Sequence, residues 1–430
     1  MTVEQPHFGQ QVRQIRRAQG LSQSDLAGDT MSPSYISLVE SGRRAPSLKL
    51  ARAIAERLDM PVEVLLAPQE PEQHPPHRLG VVGRLVAARA HQLAGDWDVA
   101  HDELTGIIAL PGGPELDDVR WEARWELATT LGRLGKSEAR EQTLRDLLAD
   151  PLTKSSPLLH IRVAVETAQA LKDVGNLTES ARFAEEALRL ARTAEPPALV
   201  ERAQAETVLV SVCTASGDWE RSRELADGLV RTVQGVPGGR LRATGLWAAA
   251  GAHYVNGRAK PALALMAEAE QTMAQAGDLP LRARLQLAAG LLYIADGRLD
   301  AADPLLRQAA QAAELVGTPE DGVRLAAARA LASLRRDDPA EAGRQGALVD
   351  AGLSALAVLD RARCTVVTAR IHRARGEEDT ARERFHSAAA LYEEAGAYRI
   401  AVTVWRELSA ADATAGATAP GIDPHVLLMP

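Results

Sequence analysis

Residues 21–46 have the sequence LSQSDLAGDTMSPSYISLVESGRRAP, a pattern that indicates two short helices joined by a tight turn and followed by a basic loop. Ser22 is suited to cap the first helix, and Asp25 three residues later completes a variant of the capping box. Ser32 is suited to cap the second helix, and Pro33 takes its first position, where a missing N–H costs nothing. Two such helices crossing at a tight turn form a helix-turn-helix, whose second helix is built to enter the major groove of DNA.

Helical signals continue on both sides of this motif. Residues 8–19 place their apolar side chains on one helical stripe, and Gly20 ends that helix. Ser47 opens a fourth helix, and residues 61–66 form a short fifth. We therefore predict a five-helix DNA-binding domain over residues 1–66.

The motif resembles the phage-repressor (Cro/C1, xenobiotic-response-element) family of bacterial regulators over roughly the first 66 residues. The matching residues are Arg16, Leu21-Ser22-Gln23, Leu26-Ala27, Ser32, Ile36-Ser37, Glu40, Gly42 and Pro46-Ser47. Where that family commonly has a glycine in the turn, this sequence places Thr30 and Met31. The resemblance implies that Arg16 and Glu40 form an ion pair that braces the first helix against the recognition helix, which is a structural role.

The recognition helix and its flanks supply the candidate DNA contacts. They are Gln23, Ser32, Pro33, Ser34, Tyr35, Ser37, Arg43, Arg44 and Lys49. The resemblance implies a phosphate contact for Gln23 at a helix N-terminus, and a plain helix start is the alternative. Base readout is expected from Ser34, Ser37 and Tyr35, because a proline side chain cannot hydrogen-bond a base. The basic residues after the helix either clamp phosphates or form a solvated loop.

Length and charge set limits on the rest of the chain. At 430 residues it is too long for one ordinary core, so several domains or a repeat array are expected. Aromatic residues are only 3%, and the dominance of Ala, Leu and Arg favours helices over sheets. The net charge is +1 over residues 1–66 and −9 over the remainder, which argues against a chain that coats nucleic acid along its whole length.

No feature of the sequence indicates export or a membrane. Cys213 and Cys364 lie far apart without metal-site spacing, which suggests a reducing cytosol. The N-terminus has no basic-then-apolar signal, and no run of 18 apolar residues occurs. We therefore expect a cytoplasmic protein with no membrane partner. Residues 67–77, with four prolines, are expected to form a semi-rigid linker, and the two histidines in it have no partners for a metal site.

A short turn signal recurs from residue 78 onward. Its markers are Gly95, Gly135, Gly175, Gly217, Gly257, Gly297, Asp337 and Gly376. The intervals are 40, 40, 42, 40, 40, 40 and 39 residues, a regularity that predicts a repeat array. In each unit an apolar helix precedes the turn, and a second helix with a small residue about five positions on follows it. Examples of that small residue are Ala100, Ser222, Ala262, Ala302 and Ala381.

These units resemble the tetratricopeptide repeat, most clearly over residues 287–317. The small, aromatic, turn and small positions of that motif fall on Gly290, Tyr293, Gly297 and Ala302. The period exceeds the usual one of about 34 residues, as in bacterial peptide-responsive regulators, so each unit has about one extra helical turn. We predict an all-α protein whose residues 78–410 form a tetratricopeptide-like α-solenoid of about eight helix pairs, followed by a disordered tail over residues 411–430.

The concave groove of such a solenoid is the expected ligand site. Counting back from the turn markers gives the candidates Arg89, Arg162, Gln169, Trp247, Tyr254, Arg284, Arg324 and Arg370, each of which is otherwise ordinary surface. The arginines would suit an acidic group or a carboxylate. Asparagine, which often holds a peptide backbone in such grooves, occurs only as Asn176 and Asn256 at turns, and this weakens the peptide interpretation. The stretch VLLMP at residues 426–430 is a rival occupant of the groove.

The sequence contains no HExxH, GxSxG, phosphate loop or spaced Cys/His cluster, so we predict no catalytic residues, metal or cofactor. We predict a transcriptional regulator that binds double-stranded operator DNA, senses a peptide or other ligand in its repeats, and forms a homodimer. Residues from about 353 to 405 are the expected dimer contact. The alternative is a scaffold or adaptor whose solenoid binds other proteins.

Overall fold

The computed structural model describes residues 7–66, 78–195, 197–274, 277–412, 423–426 and 429–430. Every regular element within these ranges is a helix, so the predicted all-α class is confirmed. The chain divides into two compact units, residues 1–77 and residues 78–430. The predicted linker at residues 67–77 lies outside the described residues.

The N-terminal unit has the five helices that the sequence predicts. They are α1 His7–Ala18, α2 Gln23–Ala27, α3 Pro33–Glu40, α4 Leu48–Arg57 and α5 Val62–Leu66. Their apolar stripes meet in one core, in which Val12, Leu26, Ile36, Ile54 and Leu65 are fully buried. A core of this size fixes the helix angles of a small domain.

The second unit is a stack of helix pairs. Its helices are α6 Arg78–Ala94, α7 Trp97–Ile108, α8 Asp117–Arg133, α9 Ser137–Ala149, α10 Pro151–Ser155, α11 Pro157–Val174, α12 Leu177–Thr193, α13 Leu199–Ser216, α14 Trp219–Gln234, α15 Gly239–Val255, α16 Ala259–Ala274, α17 Leu279–Ala295, α18 Leu299–Val316, α19 Pro319–Arg335, α20 Pro339–Gly352, α21 Val358–Ala374, α22 Glu378–Glu394 and α23 Tyr398–Asp412. In the described part of the chain these make eight long pairs, with the short α10 inserted and α23 stacked at the end.

The eight sequence markers all lie in the left-handed region of backbone space, with φ between 58° and 88°. This conformation turns the chain sharply between the two helices of a pair, and glycine adopts it without a Cβ clash. Asp337 takes the same conformation without being a glycine, since aspartate tolerates this region better than most residues. The predicted small residues five positions on, such as Ala262 and Ala302, are completely buried where the two helices touch.

The last repeats pack against earlier repeats of the same unit. Val358, Tyr392 and Ile400 share one hydrophobic core with Ile161 and its neighbours on α11–α13. The curvature of a solenoid brings distant repeats together in this way. Much of the apolar surface of residues 353–405 is therefore buried within the chain, and the expected contact of these residues with a second copy stays a prediction.

The expectation of a disordered tail is corrected for the part that the structure describes. Pro424, His425 and Met429 are buried inside the second unit, and Asp423 pairs with Arg370. The intervening residues 413–422 and 427–428 lie outside the described residues. The end of this sequence thus packs among the repeats.

Candidate DNA interface and solenoid cavity

The caps of α2 and α3 follow the sequence prediction. Ser22 Oγ accepts from the Asp25 N–H at 3.1 Å, and the Asp25 carboxylate accepts from the Ser22 N–H at 2.8 Å. Ser32 Oγ accepts from the Tyr35 N–H at 3.1 Å, with Pro33 at the first helical position. These bonds satisfy N–H groups that a helix start otherwise leaves without partners.

The turn between the two helices differs from the expected one. Gly28 ends α2 with φ 49°, so the turn glycine lies two residues before Thr30. A side chain at Gly28 would overlap the Arg57 guanidinium, which donates to the Leu26 carbonyl at 3.1 Å and also to the Ala27 carbonyl. Arg57 therefore satisfies carbonyls at the end of α2, a role that the local sequence does not reveal.

Arg16 and Glu40 form the ion pair that the resemblance implies. Arg16 Nε and Nη2 donate to the two Glu40 oxygens at 2.5 and 3.0 Å, and both side chains are buried. Gln23 Nε2 donates to the same carboxylate at 2.8 Å. Burial raises the pKa of Glu40, but the hydrogen bonds from Arg16 and Gln23 outweigh it and leave the pKa lowered. The pair locks α1, α2 and α3 together.

The outer face of α3 is polar and exposed. Ser34 and Ser37 lie on this face near the helix start, whereas Ile36 and Val39 are buried on the other side. Ser32 and Pro33 are exposed at the same end. Arg43, Arg44 and Lys49 follow as exposed cations, and the Arg44 guanidinium lies 5.6 Å from the centre of the Tyr35 ring. The face thus presents small hydroxyl donors flanked by positive charge.

The first helices of several pairs line a cavity of about 850 Å³ in the second unit. Its walls include Gln169, Lys172, Arg284, Arg324, Asp360 and Met429. Acidic and basic side chains both line it, so the cavity is polar and carries charges of both signs. Groups of this kind suit a ligand that carries both polar and charged atoms.

Four of the candidate arginines form a ladder of ion pairs between neighbouring repeats. The pairs are Arg89–Glu126 at 2.8 Å, Arg162–Glu201 at 2.8 Å, Arg324–Asp360 at 2.7 Å and Arg370–Glu407 at 2.8 Å. The two members of each pair are 36 to 39 residues apart, about one repeat. Their guanidinium groups therefore brace adjacent first helices.

Two aromatic candidates lie elsewhere than in an open groove. Trp247 is only 1% exposed in the main core, because it lies in the part of α15, residues 245–255, in which every residue is buried. Tyr254 is buried too, and its hydroxyl accepts from the Asp423 N–H at 3.3 Å. Gln169 and Arg284 do line the cavity, and within the described residues no ion pair involves Arg284.

Residues 12–65 match the family model described as Helix-turn-helix. The N-terminal unit is a helix-turn-helix domain of the Cro/C1 type. Its α2 and α3 are the two helices of the motif. The comparison with curated proteins found no match.

The helical solenoid has counterparts among solved structures. A Rap protein complexed with Competence and Sporulation Factor has 12% identity and a TM-score of 0.52, covering 94% of this chain and 98% of that chain. Aspartyl phosphate phosphatase F from Bacillus subtilis has 11% identity and a TM-score of 0.51, covering 92% and 97%. PlcR from Bacillus thuringiensis, in complex with the peptide PapR7 and DNA, has 14% identity and a TM-score of 0.37, covering 72% and 95%. The first two show a shared helical solenoid fold.

Sequence reasoning missed Lys172 and the contacts of Asp423 and His425, although it named residues 426–430 as an occupant of the groove. Lys172 is buried at the wall of the solenoid cavity, and burial lowers its pKa to about 8, with Arg284 and Arg363 also disfavouring its charge. No groups of acidic, histidine and cysteine residues suited to a metal ion occur in the described ranges. In the same ranges no helix is long and apolar enough to span a membrane.

Proposed function

We propose that the protein is a sequence-specific DNA-binding regulator of transcription, and that its solenoid senses a ligand and dimerises. The helix-turn-helix domain with its exposed, polar α3 carries the proposal. A cavity in a separate unit of more than three hundred residues supplies a place for a signal. The two functions are then linked if ligand binding favours one arrangement of the chain, a coupling that is typically about 1–3 kcal/mol.

On DNA, each candidate has a distinct task. Ser34 and Ser37 face base edges from the major groove, while Arg43, Arg44 and Lys49 neutralise phosphates. Gln23 already gives one amide hydrogen to Glu40, and its second hydrogen is available for a phosphate oxygen. Tyr35 positions Arg44 through the face of its ring.

The test is selection of genomic DNA fragments by the full-length protein, followed by affinity measurements over a range of salt concentrations. Arg43→Ala with Arg44→Ala should weaken binding to every duplex and reduce the log–log salt slope by about 0.9 per lost phosphate contact. Ser37→Ala should instead change the preference among sequences. The matched control removes two exposed arginines from the solenoid, Arg189→Ala with Arg192→Ala, and should change neither property. If no fragment binds better than random duplex, the scaffold function replaces this one.

For the ligand, the cavity residues Gln169 and Arg284 remain candidates. Arg284 is the better of the two, since its guanidinium is not engaged in the ion-pair ladder. A Rap protein with the same fold was crystallised with a bound factor, which is a precedent for ligand binding by this architecture. The other arginine candidates are the four that form the ion-pair ladder. Each of them could contact a ligand only through guanidinium nitrogens that are not hydrogen-bonded to its carboxylate partner.

Dimerisation is best supported by the outer face of α6. Leu79, Val86 and Leu93 on this helix are 69%, 58% and 91% exposed, although they are large apolar residues. Gly83 and Ala90 lie between them and are exposed as well. A stripe of large apolar side chains along one face of a helix is normally covered, so a partner is expected on this face.

A second copy of the chain fits the stripe. Leu79 and Leu93 lie seven residues on either side of Val86, so an antiparallel pair of α6 helices would match each Leu79 with Leu93 of the other copy. Such a two-fold contact is self-complementary. With a rise of about 1.5 Å per residue, the two Arg78 positions would lie about 24 Å apart. Two linkers of eleven residues can then reach half-sites about 34 Å apart.

A further inference from the structure

The end of the sequence forms a second set of contacts that the proposed function does not use. The short turn Pro424–Val426 and residues 429–430 lie among α11, α15, α21, α22 and α23. Four of its groups meet side chains of distinct chemistry on these helices. The inference drawn from them deepens the ligand-sensing part of the proposed function and does not depend on DNA binding.

The first contact is an acidic one. Arg370 donates from Nε and Nη2 to the two oxygens of Glu407, at 2.8 Å each, and this fixes the plane of its guanidinium. The remaining nitrogen, Nη1, donates to Asp423 at 2.6 Å. Since Glu407 belongs to α23, the cation stays paired and oriented whether or not Asp423 is present. The helices therefore hold a preformed position for one carboxylate.

The second contact recognises an imidazole. Thr403 donates its hydroxyl hydrogen to the Ile400 carbonyl at 2.6 Å, so its oxygen is left to accept from His425 Nε2 at 3.2 Å. His425 Nδ1 then accepts from the Tyr392 hydroxyl at 2.9 Å. This pattern selects the neutral imidazole with its hydrogen on Nε2. Burial lowers the pKa of His425 to about 4, in agreement with a neutral ring.

The third contact is apolar and depends on the shape of the space that Met429 fills. Met429 is 7% exposed and lies in the main core, where its sulfur fills the space beside Gly251. A Cβ at Gly251 would lie only 2.7 Å from that sulfur, so the missing side chain on α15 makes room for the methionine. An unbranched, flexible side chain suits such an irregular space.

The fourth contact is the amine of Lys172, which donates to the main-chain oxygen of Pro430. Within the described residues no other hydrogen bond of this buried amine occurs. A buried ammonium without a partner costs much more than a paired one. An acceptor at this position therefore lowers the free energy of the buried Lys172 ammonium.

We infer that the helices around residues 423–430 form a binding site for a short peptide, and that this chain's own tail is its tethered occupant. The site recognises an acidic residue, a histidine two positions later and a methionine four positions after that. The connecting residues 413–422 have the sequence ATAGATAPGI, which contains no charged residue and ties the occupant covalently to α23. A free peptide of the same pattern competes with the tail for the site.

The test uses the full-length protein with 13C-methyl methionine and a synthetic peptide of residues 421–430, GIDPHVLLMP. The chain has six methionines, so the Met429 methyl signal can be assigned from its loss in Met429→Leu. In the wild type this signal should lie away from the position of a free methionine. An excess of unlabelled peptide should shift it to the free position, at millimolar concentration because the tether supplies an effective concentration of about that size.

Two matched variants separate the tail from its site. Asp423→Asn removes the tail's carboxylate from Arg370, and we expect the full-length variant to bind the peptide at least about tenfold more tightly than the wild type. Glu378→Gln removes an exposed carboxylate elsewhere on α22 and should leave Met429 in place. The peptide in which Asn replaces Asp should displace the wild-type tail only at a concentration at least about tenfold higher than GIDPHVLLMP needs.

Three outcomes would overturn the inference. They are a wild-type Met429 signal at the free position, a signal that no peptide concentration moves while Asp423→Asn gains no affinity, and equal competition by the altered peptide. Circular dichroism of both variants checks that the helices are intact. Because no DNA is present, any of these results leaves operator binding untouched.

Discussion

Lys172 on α11 donates a hydrogen bond to the main-chain oxygen of Pro430, 258 residues later in the chain. The contact joins an early repeat to the end of the sequence. A second long-range contact has the same effect: Arg399 Nη1 on α23 donates to Asp218 Oδ1 at 3.1 Å. Solenoids normally rest on contacts between adjacent repeats. Here long-range contacts add to them, so the second unit should unfold more cooperatively than a simple stack.

Two turn glycines provide a direct test of whether these long-range contacts stabilise the second unit. Gly297 and Gly217 have similar left-handed backbones, with φ 78° and 86°. A Cβ at Gly297 meets no atom within 4 Å, whereas one at Gly217 would lie 2.6 Å from the Arg399 Cβ. Gly297→Ala should therefore cost about 1–2 kcal/mol of unfolding free energy from backbone strain alone. Gly217→Ala should cost about 1–3 kcal/mol more, because it also pushes α23 away.

Tryptophan fluorescence during denaturation measures this difference, since all six tryptophans lie in the second unit. Equal losses in the two variants would mean that the contact between α13 and α23 adds nothing to stability.

Arg16→Met should loosen the helix-turn-helix domain. The substitution leaves the buried Glu40 carboxylate with Gln23 as its remaining partner, and breaking a buried pair in this way costs about 3–5 kcal/mol. Hydrogen exchange of peptides from residues 7–66 in the full chain should accelerate accordingly. Arg17→Met, at the exposed next position, is the control and should change stability by less than about 0.5 kcal/mol. Equal effects of both variants would show that the pair is not a brace.

The local features of the fold could be predicted from the sequence because local chemistry produces them. The capping residues Ser22 and Ser32 and the left-handed turn markers act within a few residues of themselves. The Arg16–Glu40 pair came from the resemblance to a known domain. These predictions required no knowledge of which distant helices meet.

The site could be predicted less well, since it depends on contacts between distant repeats. Trp247 has the same helical position as a groove residue, but every residue of α15 from 245 to 255 is buried, so this part of the helix offers no free face. The ladder arginines such as Arg324 have the spacing of groove residues and instead pair one repeat onward. The tail has no periodicity, so only the helices around Asp423 and His425 give these residues a place.

Val86→Glu should convert the proposed dimer into a monomer. A charge at the centre of the α6 stripe would face its own copy across the two-fold axis, and like charges in contact oppose association. Val86 is 58% exposed, so the fold of the single chain should survive. Sedimentation velocity at micromolar concentration measures the change. Leu348→Glu is the control, because Leu348 on α20 is also 59% exposed but lies outside the stripe. A wild-type monomer, or a dimer that persists in Val86→Glu, would contradict the proposed contact.

Acid should release the tail through His425. In the docked tail burial lowers the pKa of this imidazole to about 4, whereas a free histidine has a pKa of about 6.5. The docked state thus binds fewer protons, and lowering the pH favours the free state. Between pH 6.5 and 4 the docking constant should fall by about tenfold per pH unit. The groups that face His425 are Asp423, Arg370, Glu407 and Arg363, with the hydroxyls of Tyr392 and Thr403.

Asp423 does not obscure this effect. Burial raises the pKa of Asp423, but the charges of Arg370 and His425 outweigh burial and hold this pKa at about 2. Protonation of Asp423 therefore contributes to release of the tail only below its ordinary pKa of 3.8. The fraction of docked Met429 methyl signal against pH is the measurement, with the core residue Met273 as an internal reference. His425→Asn cannot take up a proton and should flatten the profile over this range. The competitor here is the peptide with Asn in place of its histidine, whose affinity does not change in this way. If the wild-type docked fraction stays constant from pH 7 to pH 4.5 at a concentration of this peptide that half displaces the tail, His425 does not control docking.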